Sequence, residues 1–226
     1  MSFTIAIDGP AGAGKSTIAK LVAKELECIY VDTGAMYRAL ALYMVRKGVD
    51  IHDEKKVEAE LAGADVSLMY DKGELKVMLN GENVAGIIRT PEVSEAASVV
   101  SAYRQVRKEL VRRQQLMAEK TDLVMDGRDI GTCVLPSADL KIYLTADARV
   151  RGERRYKELL EKGEECDLEE IIRDVIERDR RDMTREESPL RQADDAVLLD
   201  SSYMSIEEVC GAILDLVKDK KKTALR

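Results

Sequence analysis

Residues 9–16 read Gly-Pro-Ala-Gly-Ala-Gly-Lys-Ser, a G-x-x-x-x-G-K-[ST] run, and no other segment of the chain narrows the fold as far. Before it, Phe3-Thr4-Ile5-Ala6-Ile7 is short, apolar and β-branched and ends in Asp8-Gly9-Pro10, which predicts a buried strand entering a tight turn. After it, Ile18, Leu21, Val22 and Leu26 recur at helical spacing between Gly14 and Glu27. Strand, glycine-rich loop and helix in that order make an anion cradle. The glycines allow backbone angles that turn successive N–H groups inward. The helix start near Gly14 adds the positive end of its dipole. Lys15 then supplies a point charge for terminal phosphates, and the Ser16 hydroxyl is suited to ligate Mg²⁺.

The rest of the chain predicts where such a loop sits. Ile29-Tyr30-Val31 reads as a second strand and residues 35–47 as a helix, a β-loop-α-β-α order that favours a parallel sheet covered by helices. Near Ala64 the pattern changes. Val66, Leu68 and Tyr70 alternate with polar neighbours, as do Leu75, Val77 and Leu79, and Asp71-Lys72-Gly73 and Asn80-Gly81 punctuate the runs. This predicts a small antiparallel insertion ending near Arg89-Thr90-Pro91, followed by one long helix from Pro91 to about Lys120. The core pattern resumes with strands at 123–126, 140–144 and 196–199. Helices are predicted at 146–162 and 167–182, and a last one opens at Ser205 with Glu208 three residues on. The expected division is a core of residues 1–61 and 92–226, with a lid at about 157–185. The inserted segment begins at 62–91 and continues into the helix after Pro91.

Composition removes several function classes. Thirty-six basic against 43 acidic residues give a net charge of −7, which argues against a general nucleic-acid coat protein. The four cysteines (Cys28, Cys133, Cys166, Cys210) are scattered and His52 is the only histidine, so a Cys/His zinc site is not expected. No apolar run approaches the ~20 residues that span a bilayer, and no secretory signal opens the chain, so the expectation is a cytoplasmic enzyme.

A phosphate loop alone leaves open a GTPase switch, a motor ATPase or a kinase. No N-K-x-D base-reading motif occurs. A second set of anion binders favours a kinase. Arg38 and Arg128 follow the second strand and the strand ending at Asp126, and in open parallel sheets ligands gather beyond the carboxyl ends of strands. Two arginines there suit a second phosphate, held bidentately. Asp126 either binds Mg²⁺ through water or anchors the glycine loop.

Several segments together resemble bacterial cytidylate kinases: IAIDGPAGAGKST, VDTGAMYRALAL, IRTPEVSEAASVVS, VRKELVRRQ, MDGRDIGT and ERDRRDMTRE, then ADDAVLLDSS. The resemblance implies an α/β nucleoside monophosphate kinase fold with a P-loop. Its parts are a five-stranded parallel sheet with helices on both faces, a small antiparallel insertion and a lid. It implies transfer from ATP, with Mg²⁺, to CMP and dCMP in pyrimidine metabolism. The donor would be held by Gly9, Pro10, Ala11, Gly12, Ala13, Gly14, Lys15, Ser16 and Thr17, with Ser16 on the metal. Arg151 and Arg154 are assigned to the donor triphosphate less firmly, since neighbouring Arg149 and Arg155 would do as well. The acceptor would meet Thr33, Tyr37, Arg38, Ser98, Arg107, Arg128, Asp129 and Asp182. Lys15, Arg128, Arg178 and Arg185 would act on the transferring group.

Arg178, Asp182 and Arg185 are four and three residues apart, one face of a helix that persists so far. Asp129 and Asp182 are the candidate readers of cytosine, whose exocyclic amine donates where uracil presents a carbonyl. Gly163 within the acidic stretch from Glu161 to Asp167 suggests a loop in the lid. The expected partners are small nucleotides (ATP, CMP, dCMP), with no nucleic acid, no membrane and a monomeric chain. The competing readings are a kinase for UMP and CMP together or for AMP, and a regulatory or nucleic-acid-associated P-loop ATPase.

Overall fold

β1 (Thr4–Asp8) is buried along its whole length, as an apolar run without alternation requires. The computed structural model describes residues 2–71 and 74–224. From β1 the chain passes through the glycine-rich loop into α1 (Lys15–Glu25). Gly14, at φ 86°, holds the left-handed conformation directly before the helix, where a side chain would be strained. α1 buries Ile18, Ala19, Val22 and Ala23 and turns Lys20 and Lys24 to solvent, so one apolar stripe faces the sheet. β2 (Ile29–Asp32) follows.

The chain forms two units, one from the segment up to Tyr30 together with everything from Lys120 onward, the other from Val31 to Glu119. The second unit starts with α2 (Thr33–Arg46), whose first turn is capped by Asp32 accepting from the Ala35 N–H. α3 (Glu54–Glu60) and a 3₁₀ turn lead into β3 (Val66–Asp71), β4 (Glu74–Leu79) and β5 (Glu82–Asn83), an antiparallel three-stranded sheet in that order. Asn80 and Gly81, at φ 49° and 83°, make the two-residue turn that sets Leu79 opposite Glu82. Lys72 and Gly73, expected between the first two runs, lie outside the described residues. Met36, Leu40 and Met44 of α2 share a core with Val77 and Leu79 of the sheet.

The single helix expected from Pro91 to Lys120 is two helices, α4 (Pro91–Val100) and α5 (Arg104–Ala118). Tyr103 stands between them with extended angles (φ −79°, ψ 132°) and donates its hydroxyl to the Ile51 carbonyl at 2.8 Å. Ser101 turns its hydroxyl back to the Ser98 carbonyl at 3.0 Å. The Ala102 N–H bonds to Val99 rather than Ser98, so the Ser101 hydroxyl stands in for the helical donor that the Ser98 carbonyl loses at the break. The start was read correctly: Thr90 caps α4 and Pro91 occupies its first turn.

Back in the first unit, β6 (Leu123–Gly127) is followed by a π-helical turn at Ile130–Val134. Then come β7 (Leu140–Thr145), α6 (Ala148–Glu161), α7 (Leu168–Thr184), β8 (Val197–Asp200) and α8 (Ile206–Ala224). The expected capping box that opens α8 is complete, Ser205 and Glu208 each accepting from the other's backbone N–H. Among the described residues five parallel strands form one sheet in the order β2-β6-β1-β7-β8, with helices on both faces. The register sets Asp8 beside Gly127 and Tyr143. The glycine loop after β1 and the Gly-Arg-Asp stretch after β6 thus leave the sheet at the same end, where α/β sheets bind ligands.

Candidate active site

Lys15 begins α1 with its side chain buried, only 5% of the residue exposed. Its ammonium donates to the Pro10 carbonyl at 2.7 Å. Burial and the positive charge of Arg128 lower its pKa to about 7, against the pull of Asp126, Asp182 and Asp8. A buried lysine whose charge is disfavoured by burial and by a neighbouring arginine is an arrangement completed by an anion. Thr17, also expected near the donor, faces solvent one residue beyond Ser16.

Behind the loop, two carboxylates from β1 and β6 fix its base. Asp126 accepts from the Ser16 hydroxyl at 2.9 Å and from the Tyr30 hydroxyl at 2.8 Å. Asp8 accepts the N–H groups of Ile130 and Gly131, each at 2.7 Å, and so holds the π-helical turn against the end of β1. Burial raises the Asp8 pKa to about 6 despite those two donors. Sequence reading gave Asp8 and Tyr30 no role, because their partners lie 122 and 96 residues away.

The charged run on α7 divides as helical spacing demands. Ile172, Asp179 and Asp182 are buried. Asp182 accepts from Arg128 Nε at 2.7 Å. Burial pushes the Asp182 carboxyl up, but the charge and hydrogen bond of Arg128, aided by Arg178 and Arg185, hold it below its ordinary value. Arg185 ends the helix, donates to the Ser188 carbonyl at 2.8 and 2.6 Å, and stands 3.7 Å from Asp129. The first unit thus brings Lys15, Arg128, Asp182, Asp129 and Arg185 into one chain of charge contacts.

The arginines of α6, which the sequence left unsorted, separate clearly. Arg149 pairs with Glu169 and Arg155 with Glu158, both in exposed positions. Arg154 donates to the carbonyl and hydroxyl oxygens of Ser201, at 2.7 and 3.4 Å, in the loop after β8. Arg151 turns inward to Asp179 and the backbone of Ala11.

In the second unit, Thr33 is the buried first residue of α2, and Tyr37 and Arg38 follow on the same helix. The Arg107 guanidinium lies over the Tyr37 ring, 5.5 Å from its centre, and donates to the Ser101 carbonyl at 3.1 Å. Ser98, two residues before the end of α4, accepts at its carbonyl from the Ser101 hydroxyl. Asp32, buried at 4% exposure, joins Arg38 at 3.3 Å to Arg89 at 3.0 Å. Arg89 was not singled out from sequence. Asp32 was not singled out either; the helix was expected only from residue 35, whereas α2 begins at Thr33 with Asp32 as its cap.

A parallel sheet with this strand order, a glycine cradle after its central strand, and a lysine and serine heading the next helix define a P-loop kinase fold. Residues 5–219 match the family model described as cytidylate kinase. The chain is 50% identical over 212 residues to a cytidylate kinase of Caldicellulosiruptor bescii, covering 94% of each chain. It is 47% identical over 219 residues to the cytidylate kinase of Bacillus subtilis, covering 97% of this chain and 98% of that one. This chain belongs to the cytidylate kinase family. In fold alone it is also similar to a gluconokinase structure from Sinorhizobium meliloti. The TM-score is 0.50 at 12% identity, over 99% of this chain and 97% of that one.

Proposed function

We propose that this protein transfers the terminal phosphoryl group of ATP to CMP, giving ADP and CDP, and uses dCMP in the same way. The observation that carries the reading is the glycine loop after the central strand of the parallel sheet, with Lys15 buried at the head of the next helix, in a chain of this family. An oxygen of the acceptor phosphate attacks the γ-phosphorus and the bond to the β–γ bridging oxygen breaks, its electrons remaining on ADP. The acceptor has a second pKa near ~6, so it is largely anionic at neutral pH and needs no general base. The work left to the protein is to hold two anions together and to stabilise charge spread over the moving group.

Within that reading the loop from Gly9 to Thr17 and Arg154 hold the donor. Lys15, Arg128, Arg178 and Arg185 neutralise the transferring group. Thr33, Tyr37, Arg38, Ser98 and Arg107 meet the acceptor. Asp129 and Asp182, each beside an arginine, present carboxylate oxygens suited to the cytosine amine. The donor set near Ser16 fits Mg²⁺: a hydroxyl and the Asp126 carboxylate, both hard oxygen ligands, at 2.9 Å from one another. Among the described residues no group of three or more His, Cys, Asp or Glu could cage a metal alone. That suits an ion held chiefly by substrate phosphates, which supplies charge neutralisation there. Residues 157–185 serve as the lid over the donor, and the chain acts as a cytoplasmic monomer. Among the described residues no helix is long and apolar enough to cross a membrane.

A coupled assay of diphosphate formation with CMP, dCMP, UMP and AMP in parallel tests the reading. CMP and dCMP should be the efficient acceptors. Preference for UMP or AMP would reassign the substrate, and ATP turnover with no added monophosphate would mark a regulatory ATPase.

A further inference from the structure

α6 and α7 cross where Gly152 meets Ile172, so tightly that a Cβ on the glycine would overlap the isoleucine side chain. Arg151 precedes that glycine, and Asp179 lies two helical turns beyond that isoleucine. The crossing therefore sets guanidinium against carboxylate, with Arg151 Nη2 donating to Asp179 Oδ2 at 2.6 Å. The two residues are 4% and 8% exposed. An ion pair so deep costs desolvation that its attraction often fails to recover, so its presence points to work other than stability.

The remaining hydrogen bonds of the pair show what that work is. Arg151 Nη1 donates to the Ala11 carbonyl at 2.8 Å, and Asp179 Oδ1 accepts the Ala11 N–H at 3.3 Å. Arg151 Nε holds the Ala146 carbonyl at 2.8 Å, which fixes the guanidinium plane. Both backbone polar groups of Ala11, the third residue of the glycine loop, are thus held by side chains from two other helices. Gly12 completes the fit, since a Cβ there would stand 3.3 Å from the Cβ of Arg151.

We propose that Arg151 and Asp179 are positioning residues for the phosphoryl transfer set out above, on which the inference rests. They lock Ala11 so that the N–H groups after it are preset for the donor phosphates. Through Asp179 they dock α7, the helix of Arg178 and Asp182, onto that same loop. The charges must be present together. Arg151 cancels a carboxylate that would otherwise stand beside a polyanion site, so losing the arginine alone should be worse than losing both.

The test measures affinity for a fluorescent ATP analogue with no acceptor present, alongside steady-state constants for ATP and CMP. Arg151→Met should weaken analogue binding by about 10- to 100-fold, Asp179→Asn by less, and the double variant should regain much of the loss. KM for CMP, which depends in part on Asp182 farther along the same helix, should change by a clearly smaller factor than analogue binding, a split that general loosening of the fold would not give. Arg151→Lys keeps the charge but not the fork and should bind at an intermediate level. It decides the matter if Arg151→Met proves unfolded by circular dichroism. Wild-type affinity in Arg151→Met or Arg151→Lys, or a double variant whose loss is the product of the single losses, overturns the proposal. Because the titration needs no acceptor, failure of the wild-type protein to make CDP would reject the cytidylate reading and leave this result standing.

Discussion

The ammonium of Lys15 is bonded to the carbonyl of Pro10, 2.7 Å away within its own loop. Burial and Arg128 bring its pKa to about 7, so near neutral pH a good part of the lysine is uncharged. A bound polyphosphate supplies the opposite charge that the site lacks and returns the pKa toward its ordinary range. ATP binding at pH 7 should therefore take up part of a proton, and affinity should fall as pH rises above about 7. Calorimetric titrations in buffers of different ionisation enthalpy measure the uptake. It should vanish in Lys15→Met, along with phosphoryl transfer but not the fold. Binding without proton exchange in the wild-type protein would contradict the assignment.

Asp8 carries a stability signature of its own. Its folded pKa, raised to about 6 by burial, exceeds the ordinary 3.8. Between those values the folded state holds more protons than the unfolded one, so stability declines as pH rises through that window and levels off above it. Urea denaturation of wild-type protein and Asp8→Asn from pH 4 to 7 should show the slope flattened in the variant. Asp8→Asn should also be less stable at pH 7, by about 1–2 kcal/mol, because one of two buried N–H groups meets an amide nitrogen. Parallel slopes would remove Asp8 as the source.

Asp182 should act in selectivity. Removing its carboxylate in Asp182→Ala should reduce the CMP-over-UMP ratio of kcat/KM by about tenfold or more. Arg128 and its neighbours hold this carboxyl below its usual range. The wild-type ratio should therefore persist as pH is lowered to 5. A ratio unchanged by the substitution would assign base reading to Asp129.

Asp32 links helix capping to two arginines in the second unit. Asp32→Ala removes the cap on α2 and the partner of Arg38 and Arg89 at once, and should cost about 2–3 kcal/mol in urea denaturation. Arg38→Met should instead raise KM for CMP by about 10-fold or more while leaving KM for ATP nearly unchanged. An effect confined to ATP would place Arg38 on the donor.

What was legible in the sequence was what adjacent residues encode. The glycine loop, the Asn80–Gly81 turn, the Thr90–Pro91 helix start and the Ser205–Glu208 capping box each depend on a few neighbouring residues, and each was readable from them. The break at Ser101–Tyr103 was not, because no glycine or proline marks it. At that point Tyr103 is extended and reaches the Ile51 carbonyl, a partner 52 positions away. The α6 arginines could not be ranked for the same reason. Four of them lie within seven residues on an exposed-looking charged helix. Only Asp179, 28 residues beyond Arg151, and Ala11, 140 before it, distinguish the inward one.

The central strand of the parallel sheet is also the first that the chain supplies. Thr4 lines up with Leu123, and Ile5 with Leu140, so β1 leaves the ribosome long before either neighbour exists. The residues in between belong largely to a unit with its own core, which is free to condense first. The nucleotide cradle cannot be completed on the nascent polypeptide until β6 and β7 have been made. Its assembly is then the late, slow closure of a very long loop rather than a local event.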